Sequence, residues 1–302
     1  MRLFKKENRA LLILWALFIS AMGLVLYYVF VHLTVKGGQP PLAGLFSNQP
    51  LFILAATIGM SLIFTHAWIG LGMWRGTLFV LLAFALGLAA EIAGVKTGLI
   101  FGGRYDYAVG TTPVFMGVPL LIPIFWTAFI SVGYGLVGSF LVLLGRGKPD
   151  KDNSGTIRLL LAVTLDSLAV VAIDLIMDPL QVAAGNWRWL EPGGFYGVPW
   201  GNFTGWFLVV ALTTGIFRTV EYYFPGERRA TTAAPLVSAI SYALLGLVLG
   251  AFALKSGMLW LSLVGLGVML PLALASLYGS WKKAALWSSS GAPAKNEHQR
   301  GR

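Results

Sequence analysis

The run Ile157–Asp178, I-R-L-L-L-A-V-T-L-D-S-L-A-V-V-A-I-D-L-I-M-D, decides the fold. It matches the roughly 20 apolar residues that a helix needs to cross the hydrocarbon core of a bilayer. Its apolar residues are continuous and do not alternate, so it reads as a helix and not as a barrel strand. Seven further runs of the same kind flank it, at roughly 10–32, 51–74, 76–95, 119–145, 203–224, 233–254 and 257–280. The expected fold is an all-α polytopic membrane protein of about eight transmembrane helices.

Composition agrees. Of 302 residues, 57% are hydrophobic and 11% charged, against about 25% charged in a soluble domain. Too few polar residues exist to coat a soluble core. An ordinary soluble enzyme, a disordered chain and a coiled coil are excluded. Cysteine is absent, which removes disulfides, thiolate metal sites and cysteine nucleophiles. With three histidines there is no His-rich metal site, and no metal is assigned. Phosphate-cradling GxGxxG and GxxxxGK patterns are missing.

The net charge of +10 is explained by where the basic residues fall. Arg2, Lys5, Lys6 and Arg9 precede the first span. Arg75, then Arg146, Lys148, Lys151 and Arg158, then Arg228 and Arg229 fall in alternate connections, and five more lie in the tail. The opposite side holds only Lys36, Lys96, Arg104, Arg188 and Lys255. By the positive-inside rule both termini are expected to be cytoplasmic. The charge then faces the anionic leaflet, not nucleic acid. The first run is too long for a signal peptide, and Tyr27, Tyr28 and His32 stand where a cleavage site would be, so it reads as a retained span. Residues 1–287 are expected to form one transmembrane helical domain, and the polar stretch 288–302 a disordered cytoplasmic tail.

Two connections on the non-cytoplasmic side are unlike the others. One runs E-I-A-G-V-K-T-G-L-I-F-G-G-R-Y-D-Y from Glu91 to Tyr107 and on to P-V-F-M-G-V-P-L-L-I-P-I-F-W at Trp126. The other follows Asp178-Pro179 with N-W-R-W, ending at Trp189, and G-G-F-Y-G-V-P-W-G-N-F-T-G-W, ending at Trp206. Glycine and proline give irregular backbone, which survives at membrane depth only under cover of protein or water. These loops are re-entrant, lining a cavity, or they are plain extracellular caps; their apolar, aromatic content favours the cavity.

Carboxylates inside a membrane are costly, so each needs a reason. Asp174 and Asp178 are four apart and share a helix face. Two neighbouring carboxylates in an apolar setting cannot both ionise cheaply, so one is expected to keep its proton near pH 7. Glu91 sits at the same end of its own span. The alternative is a structural pair, or an ion pair to Arg104 or Arg188. Asp166 is either a proton relay or a helix–helix hydrogen bond. Glu221, three after Arg218, reads as its ion-pair partner. His66 reads as a hydrogen-bonded packing residue, and G-L-V-L-G at 246–250 as close helix packing.

Glu91, Gly94, Thr97, Gly98, F-G-G-R-Y-D-Y (101–107) and G-V-P-L-L-I-P-I-F-W (117–126) resemble the membrane-bound carotenoid 1′,2′-hydratase family. That family takes in γ-carotene and lycopene 1′-hydratases and bisanhydrobacterioruberin hydratase. Asp174, Asp178-Pro179, Trp187, Trp189, G-F-Y-G-V-P (194–199) and N-F-T-G-W (202–206) carry the resemblance further. F-G-G-R-Y-D-Y is one residue longer than the family's usual F-G-x-Y-x-Y. The resemblance implies an enzyme that adds water to the terminal double bond of an acyclic carotenoid, giving a 1′-hydroxy carotenoid. It implies no cofactor, a carotenoid and water as substrates, and other carotenoid enzymes as neighbours in the bilayer. Such hydration protonates carbon and captures a tertiary cation with water. The Asp174/Asp178 pair, with Glu91, would supply the acid and base. Aromatic faces stabilise a desolvated cation by about 2 kcal/mol or more, and Tyr105, Tyr107, Trp126, Trp187, Trp189, Phe195, Tyr196 and Trp206 are the candidates. Asn202 or the ionised aspartate would hold the water.

Two rivals stand beside this reading. A lycopene cyclase uses the same protonation but captures the cation with an internal alkene. A small-molecule or ion transporter also needs intramembrane acids and broken helices, although no duplicated pair of interrupted helices is evident.

Overall fold

The computed structural model describes residues 2–31, 34, 42, 49–108, 110, 112–143, 154–225 and 233–289. Eight helices carry the chain: α1 (Arg2–Phe30), α2 (Gln49–Leu71), α3 (Met73–Thr97), α4 (Leu121–Leu143), α5 (Ser154–Ala183), α6 (Trp200–Tyr223), α7 (Ala233–Lys255) and α8 (Leu259–Ser289). Each is long and apolar enough to cross a membrane. Large apolar side chains such as Leu12 and Ile19 on α1, Leu208 and Leu212 on α6, and Leu263 and Leu274 on α8 face outward. An outward apolar face is unfavourable in water and suits acyl chains. The chain is an integral membrane protein. Exposed Trp74, Tyr222, Tyr223 and Trp281 gather at one end of the bundle, and Trp200 and Trp260 at the other, as expected of aromatic belts at the two interfaces.

Helix α4 is the centre. Within its apolar window 61% of residues are buried, against 11% for α1. It packs on α2, α3, α5, α7 and α8. Gly246 and Gly250 of α7 do meet α8 closely: a Cβ at either would stand 3.1 Å from Met269 or Leu266.

The expected boundary at Asp178 is corrected. α5 runs through Pro179 to Ala183. Proline removes one helical hydrogen bond and ends many helices. Here the last turn is held from outside. Asn186 donates its backbone N–H to the Gln181 carbonyl (3.0 Å), and its side chain donates to Gln181 Oε1 (2.5 Å) and to the Leu42 carbonyl (2.9 Å). At the far end α8 continues to Ser289, and the expected tail beyond it lies outside the described residues.

Four short strands sit in the two unusual connections: β1 (Tyr105–Tyr107), β2 (Val114–Phe115), β3 (Val118–Pro119) and β4 (Trp187–Trp189). β2 and β3 form a hairpin, and β1 pairs antiparallel with β4. The second pairing was not expected from sequence. It joins the two loops into one roof over the ends of α3, α4, α5 and α6.

Candidate active site

The roof follows from a period of two. In β1 the order is Tyr-Asp-Tyr and in β4 Trp-Arg-Trp, with Tyr105 opposite Trp189, Asp106 opposite Arg188 and Tyr107 opposite Trp187. Alternate side chains of a strand face opposite ways. The four aromatics therefore turn inward, and the oppositely charged Asp106 and Arg188 stay exposed, a favourable cross-strand pair. Tyr105 lies 5.4 Å from Trp189 between ring centroids and Tyr107 lies 5.7 Å from Trp187. Trp189 Nε1 donates to the Phe101 carbonyl at 3.1 Å. Where the roof meets α6, Gly102 and Gly201 touch backbone to backbone. A Cβ on Gly201 would stand 2.6 Å from the Gly102 Cα, so neither position has room for a side chain.

Under the roof lie four buried polar residues: Glu91 on α3, Asp174 and Asp178 on α5, and Asn202 in the first turn of α6. Asn202 Nδ2 donates to Asp174 Oδ2 at 2.8 Å and to Asp178 Oδ2 at 2.6 Å. The two carboxyl groups also lie within hydrogen-bonding reach of each other. Asp174 Oδ1 is buried with no partner among the described residues. Arg104 and Arg188, the alternative partners, are exposed and form no ion pair with the aspartates among the described residues. The pair is held by an amide, which supplies a donor without supplying a charge.

Glu91 is held differently. Its Oε2 accepts from the Tyr105 hydroxyl (2.6 Å) and the Tyr107 hydroxyl (2.5 Å), and its Oε1 accepts from Trp126 Nε1 (2.7 Å). Three donors on one buried carboxyl leave it well satisfied. In the turn before β1, Gly103 has φ 152° and bonds its N–H to the Gly98 carbonyl (2.9 Å), and both tyrosines reach the same Glu91 oxygen. Burial, and after it the charge of Glu91, push both phenols well above the usual tyrosine value, so they remain O–H donors.

Between these groups is a small cavity, with about 20 Å³ open to the centre of a water molecule, which is room for a single water. Glu91, Asp178 and Asn202 give it polar walls, and Tyr105, Tyr107, Trp126, Trp187, Trp189 and Trp206 aromatic ones. Trp126 stacks on Trp206 with ring centroids 3.8 Å apart. Asp174 is set behind Asp178 and Asn202 and does not line the cavity. Tyr196 is not brought in: it is 41% exposed and does not line the cavity. Phe101, Ile122, Phe125 and Met177 also line the space and were missed. Phe101 had a signal, since it opens F-G-G-R-Y-D-Y.

A second polar cluster lies nearer the opposite end; it corrects the expected Arg218–Glu221 pair and gives Asp166 a helix–helix hydrogen bond, one of its two expected roles. Arg218 does not pair with Glu221. Its Nε and Nη2 bond both oxygens of Asp166, at 2.7 and 2.8 Å, and its guanidinium lies 4.3 Å from the Tyr134 ring centre. Glu221 instead accepts from the Tyr134 hydroxyl and pairs with Arg75 at 3.5 Å. The reason is burial. Asp166 is fully buried, and an isolated buried charge costs far more than an i, i+3 surface pair returns. Asp166 is thus an ion-pair partner between helices. His66 has the packing role expected, with Nε2 bonded to the Ala234 carbonyl (2.9 Å) and Ser238 Oγ (3.0 Å).

Eight apolar helices enclosing a carboxyl pair beneath an aromatic roof define an integral membrane protein with a buried polar centre. The chain belongs to the carotenoid biosynthesis protein family, whose profile matches residues 48–277. It is also similar to the bisanhydrobacterioruberin hydratase of Haloarcula japonica, with 33% identity over 170 residues, covering 56% of this chain and 54% of the relative. The chain spans about half the length of that curated relative. No solved structure matches.

Proposed function

We propose that the protein is a carotenoid hydratase, a hydro-lyase that adds water across the terminal double bond of an acyclic ψ end such as that of lycopene or γ-carotene. The observation that carries this reading is the carboxyl pair bridged by Asn202, with Asp178 opening onto an aromatic-walled cavity sized for one water. Family membership and the likeness to a hydratase support it.

In the proposed reaction the pair holds one proton. Asp178 gives it to the CH carbon of the terminal alkene, and the π electrons form the new C–H bond. The positive charge then rests on the carbon that bears the two methyl groups, next to the faces of Trp126, Trp206, Tyr107 and Trp187. Water held by Asn202 and the ionised aspartate attacks that carbon. The water's proton returns to the carboxyl pair, so the centre is restored and the product has gained H₂O. No redox change occurs, and the chemistry itself calls for no cofactor. Tyr105, Tyr107 and Trp126 fix Glu91, which holds the roof against α3.

The excess of basic residues in alternate connections supports a reading with both termini in the cytoplasm and the roof on the other side. The substrate comes from the bilayer, where other enzymes of carotenoid synthesis leave it. Expression in a lycopene-making host, with mass spectrometry of the pigments, tests the reading. A product heavier by one water is expected, and it should vanish with Asp178→Asn. Unchanged pigment from the intact protein would refute hydration. A product of unchanged mass with altered chromatography would mark a cyclase instead.

A further inference from the structure

A cavity with room for one water cannot admit the branched end of a polyene without movement of a wall. Most walls are fixed. Phe101 and Trp126 are at most 1% exposed, and Tyr105, Trp126 and Trp189 are each pinned by a hydrogen bond. The wall toward α2 and α7 is different. There Phe125, half-buried, stacks on Phe129 at 5.9 Å, and Phe129 lies 6.3 Å from Trp206. On the other side of Phe129 is a second and larger space of about 220 Å³, by the same measure, between α1, α2, α4 and α7. Its walls are almost wholly apolar, among them Met22, Leu62, Val132 and Leu245. Val25, at its rim on α1, is 37% exposed on the outer face of the bundle. Gly59 leaves part of the space open, since a Cβ there would meet nothing within 4 Å.

We propose that this groove between α1, α2, α4 and α7 binds the polyene chain of the substrate, and that Phe125 and Phe129 are the door through which its end reaches the acid cavity. The proposal rests on the hydratase reading. The occupant is a conjugated hydrocarbon because the groove offers hydrocarbon contact, opens sideways toward acyl chains and is one aromatic layer from Asp178's cavity. A carotenoid dissolved in the bilayer then never crosses water. Its chain lies in the groove, and its tip displaces the two phenylalanines to meet the carboxyl pair.

Visible circular dichroism of lycopene in nanodiscs with the full-length protein tests this. Lycopene is achiral, so a monomeric chain in lipid gives no band and one held in the groove does. The intact protein and the double variant Asp174→Asn/Asp178→Asn are expected to show the band, the latter without turnover. Gly59→Trp and Leu245→Trp should weaken it at least fivefold and slow hydration at least tenfold. Gly59→Leu, for which the backbone leaves space, guards against misfolding: it should melt like the intact protein and weaken the band by a smaller factor. Phe129→Trp should keep the band and slow hydration. A band of full strength in folded Gly59→Trp, with hydration at the intact rate, overturns the groove and leaves the hydratase reading standing. A groove-dependent band with no hydrated product overturns the hydratase reading and leaves the groove. No band in any protein, as with a lipid acyl chain as sole occupant, overturns the groove.

Discussion

Asn202 donates its side-chain nitrogen to Asp178 across 2.6 Å, tying the first turn of α6 to the last turns of α5. The same nitrogen reaches Asp174 at 2.8 Å. The two aspartates are held alike, but only Asp178 borders the cavity, and this asymmetry makes them unequal in the proposed reaction.

Asp178→Asn removes the group that would touch the alkene, whereas Asp174→Asn removes its partner. General acid catalysis is worth about 10²–10⁴-fold. Asp178→Asn should lose that full factor and Asp174→Asn a smaller part of it, both read as hydrated product per unit of protein. Equal losses would remove the distinction.

Asn202→Leu is close in volume but removes the shared donor. It should destabilise the protein by about 1–3 kcal/mol, since two buried carboxyl oxygens lose a hydrogen bond, and slow hydration by more than tenfold. Thermal melting in detergent and product analysis read the two effects separately. Intact stability in this variant would show that the bridge does not hold α5 to α6.

Glu91→Gln tests the other cluster. An amide presents one oxygen and one NH₂, and the NH₂ must face either Trp126 Nε1 or both tyrosine hydroxyls, which are donors themselves. At least one donor is orphaned in either orientation. A loss of about 1–3 kcal/mol is expected, with Tyr107→Phe costing less. A variant that melts unchanged would contradict the geometry.

The Asp166–Arg218 pair calls for a double-mutant cycle. Breaking a buried pair from one side costs about 3–5 kcal/mol, while replacing both partners by apolar residues is often close to neutral. Asp166→Leu and Arg218→Met should each be more damaging to thermal stability than the two together. Additive losses would argue that the pair is not coupled.

The tyrosines set an alkaline limit. Their folded values are raised by burial first and by Glu91 next, above an unfolded value of about 10. Below that value both states are protonated and stability from this source is complete. Above it the unfolded state loses protons first, so stability falls as pH rises. Melting temperature should be flat with respect to these groups up to about pH 10 and then decline. Tyr105→Phe combined with Tyr107→Phe should flatten the decline.

The helical frame was legible because hydrophobic length is a local property, and each span declares itself without its neighbours. The Asp174/Asp178 face was legible for the same reason, since four residues on a helix return to one side. Partnerships across helices were not. Sequence spacing points Arg218 to Glu221, but its side chain turns to the fully buried Asp166 on α5. Asn202 reads in sequence as a holder of water, and in the structure it bridges the aspartates. The roof was half legible. Tyr-Asp-Tyr and Trp-Arg-Trp each alternate aromatic and charged residues, yet strands of three residues, on opposite sides of two long helices, give no local sign of pairing. Tyr196 stands out in sequence through its G-F-Y-G-V-P motif, yet it is 41% exposed and does not line the cavity.

Every acid that α5 carries into the apolar layer finds its principal partner on α6: Arg218 for Asp166, and Asn202 for Asp174 and Asp178. When α5 leaves the ribosome none of these partners has been synthesised. Lateral release of α5 by itself would strand three aspartates in lipid. The α5–α6 hairpin is thus the smallest piece of the chain in which all three acids have these partners, so the pair is a unit of polar satisfaction within the bilayer.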